Sequence, residues 1–365
     1  MGGNLIDLAK KIVYESLGVE RGHKVYINLS GSANELAENV IRQIYHAGGV
    51  PFIRCMPVSI LKEMLLECTE EQLRQWSRQE LRLMKSMNAY LSLSAEDNVY
   101  EMNDVPAEKY QLYERVYLLP QQQMMAGIKN WLIHKYPTFG TAQLAMMSND
   151  SFRNIYFDSC MLDYDKLRQY SEPLQRRLAH TDKVRIISPS TDLSFSIRGM
   201  SNFFCGGKYN LPDGELFTAP HMDSVEGTIM FNVPSPYRGY VFQSVRLVFH
   251  RGRVIEAECN DTERLWEILN TDEDSLRVGE FGIGLNPRIR RAMNSIIFDE
   301  KMSGSIHLAL GHAYEMADNG NRSNLHWDLV LCQLDPFGGE LYFDNTLIRR
   351  NGEFVPPDLV RLNQL

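Results

Sequence analysis

The stretch KVYINLSGSANELAENVIRQIYHAGGVPFIRCM, Lys24 to Met56, decides the class of fold. Lys24-Val-Tyr-Ile-Asn-Leu29 reads as a short strand. Leu36, Val40, Ile41, Ile44 and Tyr45 then recur at helical spacing until Gly48-Gly49 stops the helix, and Pro51-Phe-Ile-Arg-Cys-Met56 is a second strand. The pattern continues outward. Leu61, Met64, Leu65 and the run Leu73 to Met87 give more helix, with Thr69-Glu-Glu71 as its start, and Ala89-Tyr-Leu-Ser-Leu93 is a third strand. Strands separated by helices of this length imply right-handed crossovers and a parallel sheet. None of these strands is followed by a glycine-rich phosphate loop, so no nucleotide site is expected there.

The texture changes near residue 184. Val184-Arg-Ile-Ile187 and Leu193-Ser-Phe-Ser-Ile197 flank a Ser-Pro-Ser-Thr-Asp turn, and Val245–Phe249 returns through His250-Arg-Gly252 into Val254–Glu258. Leu341–Ile348 and Gly352–Val355 form another expected pair. One helix is expected among them, with Asn286 as N-cap, Pro287 in its first turn, and Ile289, Met293 and Ile297 on its apolar face. The expectation is an α/β N-terminal domain with a parallel sheet, residues 1–180. An α+β, largely antiparallel C-terminal domain, residues 181–365, follows it.

Composition narrows the function classes. The 365 residues are 44% apolar and 23% charged, ordinary globular proportions. With 38 basic and 46 acidic residues the net charge is −8, which argues against a nucleic-acid surface of clustered Lys and Arg. No apolar run approaches the ~20 residues of a membrane helix. The start, Met1 to Asp7, lacks the charged and apolar regions of a signal peptide, so a cytoplasmic location is expected. The six cysteines (55, 68, 160, 205, 259 and 332) have no zinc or redox spacing and read as buried free thiols.

The chemistry concentrates in the second half. Asn324-Leu-His-Trp-Asp-Leu-Val-Leu331 reads as a buried strand that nevertheless carries His326 and Asp328, two residues apart and so on one face. Either a metal cation offsets their desolvation or a His–Asp hydrogen bond ties the strand to a neighbour. Ser305-Ile-His-Leu-Ala-Leu310 brings His307, which alone also reads as a core histidine. Glu215 follows the turn Pro212-Asp-Gly214, and Glu280 sits among Gly279, Gly282 and Gly284; each alone also reads as a turn or cap residue. Together Glu215, Glu280, His307, His326 and Asp328 amount to the donor inventory of a two-metal hydrolytic centre, in which one carboxylate bridges the ions and a shared water becomes hydroxide. There is no HExxH helix and no GxSxG elbow to support a zincin or a serine hydrolase.

Asn210-Leu-Pro-Asp-Gly-Glu-Leu-Phe-Thr-Ala-Pro220, Gly279-Glu-Phe-Gly-Ile-Gly-Leu-Asn-Pro287, Asp299–Gly311 and Leu325-His-Trp-Asp328 together resemble, in order, the motifs of the thermophilic metalloaminopeptidases, the family of aminopeptidases T and S. Tyr136-Pro-Thr138 and Leu162–Leu167 resemble it upstream. The resemblance implies a metallo-aminopeptidase acting on small peptides. It implies two divalent ions (zinc, cobalt, manganese or magnesium), with Glu215, Glu280 and His307 on one, and Glu280, His326 and Asp328 on the other. Glu280 is then the bridge and Tyr314 a catalytic phenol that steadies the oxyanion. Glu300 is implied as a ligand or a supporting partner, His221 and His312 as neighbours, and the assembly as a homodimer without nucleic-acid or membrane partners. Two rival readings share the fold: a mononuclear iron dioxygenase that cleaves hydroxypyridine rings, and a catalytically silent scaffold. The chain differs from that family in being shorter between about 95 and 160 and in lacking a proline after Tyr314.

Overall fold

Strands Lys24–Gly31, Val50–Cys55 and Ala89–Ala95 form where the apolar runs place them, in a computed structural model that describes residues 2–365. The sheet runs Val50–Cys55, Lys24–Gly31, Ala89–Ala95, Asn130–Lys135, Asn210–Leu211, with every neighbouring pair parallel. Helix Asn34–His46 buries Leu36, Ala37, Val40 and Ile44. Helix Glu70–Met84 begins where expected because Thr69 and Gln72 form a reciprocal capping box.

Contacts gather the chain into two units: residues through Met161 with Gly207–Pro212, and Leu162–Gly206 with Asp213–Leu365. Helix Tyr164–His180, read from sequence into the first domain, lies in the second unit because it packs on strand Phe203–Cys205 and the turn Val360–Gln364. The second unit holds an eight-stranded sheet, with Lys183–Ser188, Thr191–Ser196, Val245–His250 and Arg253–Glu258 as read. The run expected as one strand from Leu341 to Ile348 is broken by a turn at Asp344-Asn345, both with positive φ. The five-stranded antiparallel sheet that concerns function runs His326–Cys332, Ser305–Gly311, Val278–Gly284, Glu215–Thr218, Phe203–Cys205. Its Phe281 meets Phe195 of the larger sheet edge-on at 5.1 Å, so the apolar faces of the two sheets share a core.

The helix expected from Asn286 is absent. Asn286 instead donates to the Asp213 carbonyl at 2.6 Å and accepts from the Arg288 amide, fixing a turn, while Ile289 and Met293 are buried as separate anchors of an irregular segment. Only Ile296–Asp299 is helical. All six cysteines are free, but only Cys160, Cys205 and Cys332 are buried, and Cys55 is exposed. No helix among the described residues is long and apolar enough to cross a membrane.

Candidate metal centre

Strand register explains how five residues far apart in sequence meet. Paired residues of an antiparallel sheet point to the same face. Glu280 pairs with Ala309 and Ala309 with Asp328, so two carboxylates flank an alanine. Gly282 lies opposite His307, Gly284 opposite Glu215, and Gly311 opposite His326. All five side chains therefore project from one face, where Gly282, Gly284, Ala309 and Gly311 leave them room and Phe217 and Val330 fill further positions. The alternate residues Phe281, Ile283, Leu308, Leu310, Leu329 and Leu331 fill the core behind. The sequence folds so because the strands are largely apolar on one face, while the other sets polar groups beside glycines and an alanine.

Glu280 sits at the centre of the cluster. Its Oε1 lies 3.3 Å from His307 Nε2 and its Oε2 lies 3.9 Å from His326 Nε2. His307 Nε2 is also 3.5 Å from Glu215 Oε2, and His326 Nε2 is 3.4 Å from Asp328 Oδ2. Glu215, Glu280 and His307 are buried, while His326 and Asp328 sit at the rim. The ring of His326 is aimed by a bond from its Nδ1 to the His312 carbonyl at 2.8 Å, which leaves Nε2 to the cluster.

Electrostatics show what the cluster demands. Burial alone would lower His307, but its bond to Glu280 and the charges of Glu215, Glu280 and Asp328 prevail and raise it to about 9. Burial likewise opposes the charged form of His326, and Asp328 and Glu280 overcome it to give about 10. Asp328 is lowered to about 2, burial being outweighed by His326. Burial raises Glu280. The neighbouring carboxylates thus favour the charged form of both imidazoles, and Glu215 Oε2 and Glu280 Oε2 are buried without a hydrogen-bond partner. Unsatisfied buried acceptors among histidine nitrogens are a set that fits divalent cations. Two triplets meet the geometry for an ion: Glu215, Glu280 and His307, and Glu280, His326 and Asp328, each with donor atoms within 4.8 Å of one another.

Of the other residues singled out from sequence, Tyr314 stands at the rim, 45% exposed, its ring 4.9 Å from that of His326 and 6.0 Å from that of Phe217. Glu300 reaches Lys301 at 2.8 Å and belongs to neither triplet. His221 is outside the cluster, its Nε2 bonded to the Arg198 carbonyl. Lys301, buried between Glu215 and Glu300, was not singled out, because a lysine beside a glutamate reads as a solvated pair. The signal available was its position between the apolar Phe298 and Met302.

Residues 2–354 match the family described as thermophilic metalloprotease (M29). The chain belongs to that family. As a metalloprotease it is a metal-dependent hydrolase, and the family expected from the motifs is the family found. It is 23% identical to aminopeptidase T of Thermus thermophilus over 404 aligned positions, covering 96% of this chain and 98% of that one. Aminopeptidase 2 of Geobacillus stearothermophilus is 36% identical over 110 residues, covering 29% of this chain and 26% of that one. Among solved structures, wild-type AmpT from Thermus thermophilus superposes with a TM-score of 0.83 at 20% identity, covering 97% of this chain and 99% of that one. A 2,5-dihydroxypyridine dioxygenase from Pseudomonas putida KT2440 does so at 0.65 and 14% identity, covering 98% and 99%. Both likenesses establish the fold, an N-terminal parallel sheet with helices and C-terminal antiparallel sheets.

Proposed function

We propose that this M29 protein is an aminopeptidase that removes N-terminal residues from short peptides at a two-cation centre. The observation that carries the reading is the division of Glu280, one oxygen toward His307 and the other toward His326, which joins two ligand triplets through one carboxylate. Glu215, Glu280 and His307 would hold one ion, and Glu280, His326 and Asp328 the other. The candidates are zinc, cobalt, manganese and magnesium. Bound there, the pair would supply a hydroxide nucleophile at neutral pH and Lewis acidity toward the scissile carbonyl. The aminopeptidases named among the relatives support the peptide substrate.

The chain's own residues do the rest. Burial of Glu215, Glu280 and His307 excludes bulk water from one side of the cluster, while the rim at His326, Asp328 and Tyr314 is where a peptide can approach. Tyr314 donates its phenol hydrogen to the carbonyl oxygen as negative charge builds there. Glu215, where it is not fully engaged by an ion, would instead shuttle a proton to the leaving amine, a role that the unpartnered Oε2 leaves open. Glu300 acts as a supporting partner through Lys301.

The test is a metal count per chain by mass spectrometry beside a panel of aminoacyl-nitroanilides. The wild-type chain is expected to cleave with two ions bound. Glu280→Ala is expected to lose at least about 10³-fold in kcat while keeping its circular dichroism, since one change removes a donor from both ions. A metal-replete, active Glu280→Ala protein overturns the mechanism. Oxygen uptake with ferrous iron and a hydroxypyridine would replace it with the ring-cleaving alternative, and a metal-loaded chain inert to every substrate would leave the silent scaffold.

A further inference from the structure

Lys301 follows the short helix Ile296–Asp299 and is 1% exposed. A buried ammonium persists only where anions surround it. Its Nζ lies 2.5 Å from Glu215 Oε1, 2.8 Å from Glu300 Oε1 and 3.7 Å from Asp213 Oδ1. The carboxylate of Glu215 is thereby divided. Oε1 is taken by Lys301, and Oε2, without a hydrogen-bond partner, faces His307 Nε2 at 3.5 Å.

On the lysine side lies a third group of donors. Cys205, Asp213 and Glu215 are all buried, with donor atoms within 4.8 Å of one another. A thiol beside two carboxylates is a set that takes a borderline-soft divalent ion such as zinc or cobalt. Lys301 bonds Glu215, lies near Asp213, and is close enough to Cys205 to interact with it electrostatically. The positive charge this pocket requires is already supplied by the chain.

We propose that Lys301 is a positioning residue whose ammonium is the built-in counter-cation of the Cys205–Asp213–Glu215 pocket, keeping metal out of it and presenting Glu215 to the catalytic ions through one oxygen. The inference deepens the two-cation reading and rests on it. It gives the centre a boundary: ions gather on the histidine side of Glu215 and stop at the lysine. Without that charge Glu215 would be free to turn both oxygens toward a thiol-bound ion on the wrong side. Such an ion forms its cobalt–sulfur bond as the Cys205 thiol proton leaves to solvent.

Cobalt titration of the chelator-stripped full chain tests this, read as cobalt per chain and as thiolate-to-cobalt absorption in the near ultraviolet. The wild type is expected to show no thiolate band, and Cys205→Ser to leave its count and spectrum unchanged. Lys301→Met, similar in length but neutral, is expected to bind one more cobalt and gain the band, which Lys301→Met with Cys205→Ser loses again. A folded Lys301→Met protein without the band overturns the proposal. So does a wild-type band that Cys205→Ser abolishes, a result available even where Lys301→Met does not fold. A wild-type chain taking up fewer than two cobalts sinks the two-cation reading instead, and the band in Lys301→Met is read independently of that count.

Discussion

At the scale of single residues, the site depends on what is missing as much as on what is present. A Cβ built on Gly282 falls 2.0 Å from His307 Cε1 and 2.1 Å from its Nε2, inside any possible contact. Gly282→Ala is therefore expected to push the imidazole out of the cluster. Activity should fall at least about tenfold with weakened metal binding, on the scale seen when the groups that orient ligands are removed. Calorimetric cobalt titration checks it, and unchanged affinity would show that His307 does not ligate. Tyr314→Phe removes one hydrogen while keeping the ring against His326. It is expected to lower kcat by about 10²-fold with metal count and KM preserved, as for a single oxyanion donor; an equal rise in KM would make Tyr314 a binding residue. The five candidate donors were legible because each interrupts an apolar strand or a glycine turn. Lys301 was not, since its burial arises only from the meeting of Glu215, Asp213 and Glu300, which adjacent sequence does not display.

Secondary-structure elements were legible wherever local pattern and tertiary role agree. Helix Glu70–Met84 carried both its cap and its apolar stripe in sequence. Strand Asn130–Lys135 did not, because its apolar run is only Trp-Leu-Ile and its buried His134 is satisfied by Tyr156 Oη at 2.6 Å and by the Leu211 carbonyl at 2.7 Å. The segment after Asn286 carried helix signals that Asp213 redirects. One element contact has a pH signature. Helix Glu70–Met84 brings Glu80, 10% exposed, to 3.4 Å from Arg54 of the edge strand Val50–Cys55. Burial raises Glu80 to about 7, against a hydrogen bond with Tyr117 that lowers it. The Arg54 guanidinium also donates to Asn28 at 2.9 Å and lies over Trp76. A folded pKa above the unfolded one means a proton is taken up on folding. The contribution of Glu80 is thus fully present below about 4.5 and is lost as pH rises through about 7. Melting of the wild type between pH 5 and 8 should show that loss, and Glu80→Gln should recover roughly 1–3 kcal/mol at the upper end. An identical slope in the variant would assign the pH dependence elsewhere.

For the whole molecule, the candidate ligand triplets lie in the second unit, whose sheet trades cohesion for a charged face. The carboxylates of Glu280 and Asp328 face His307 and His326, that of Glu215 faces Lys301 and His307, and two carboxylate oxygens are left unsatisfied. Divalent ions that bind the folded arrangement and not the unfolded chain would stabilise it by mass action, by about 2.7 kcal/mol per ion at a hundredfold excess over its Kd. Chelation of the purified protein is accordingly expected to lower its melting temperature by several degrees, and added cobalt, zinc or manganese to restore it. Trp327 lies between His326 and Asp328 on the site strand, stacked on Tyr237 at 4.9 Å, and with Trp266 reports on that unit, whereas Trp76 and Trp131 lie in the first. The metal-dependent shift should be read in the fluorescence of Trp327 and Trp266 and persist in a Trp76→Phe, Trp131→Phe chain, which keeps only those two tryptophans. Melting that ignores both chelator and metal would mean that the histidines and carboxylates are a structural ion-pair network, stable in itself, because a centre that binds cations tightly enough to use them cannot fail to be stabilised by them.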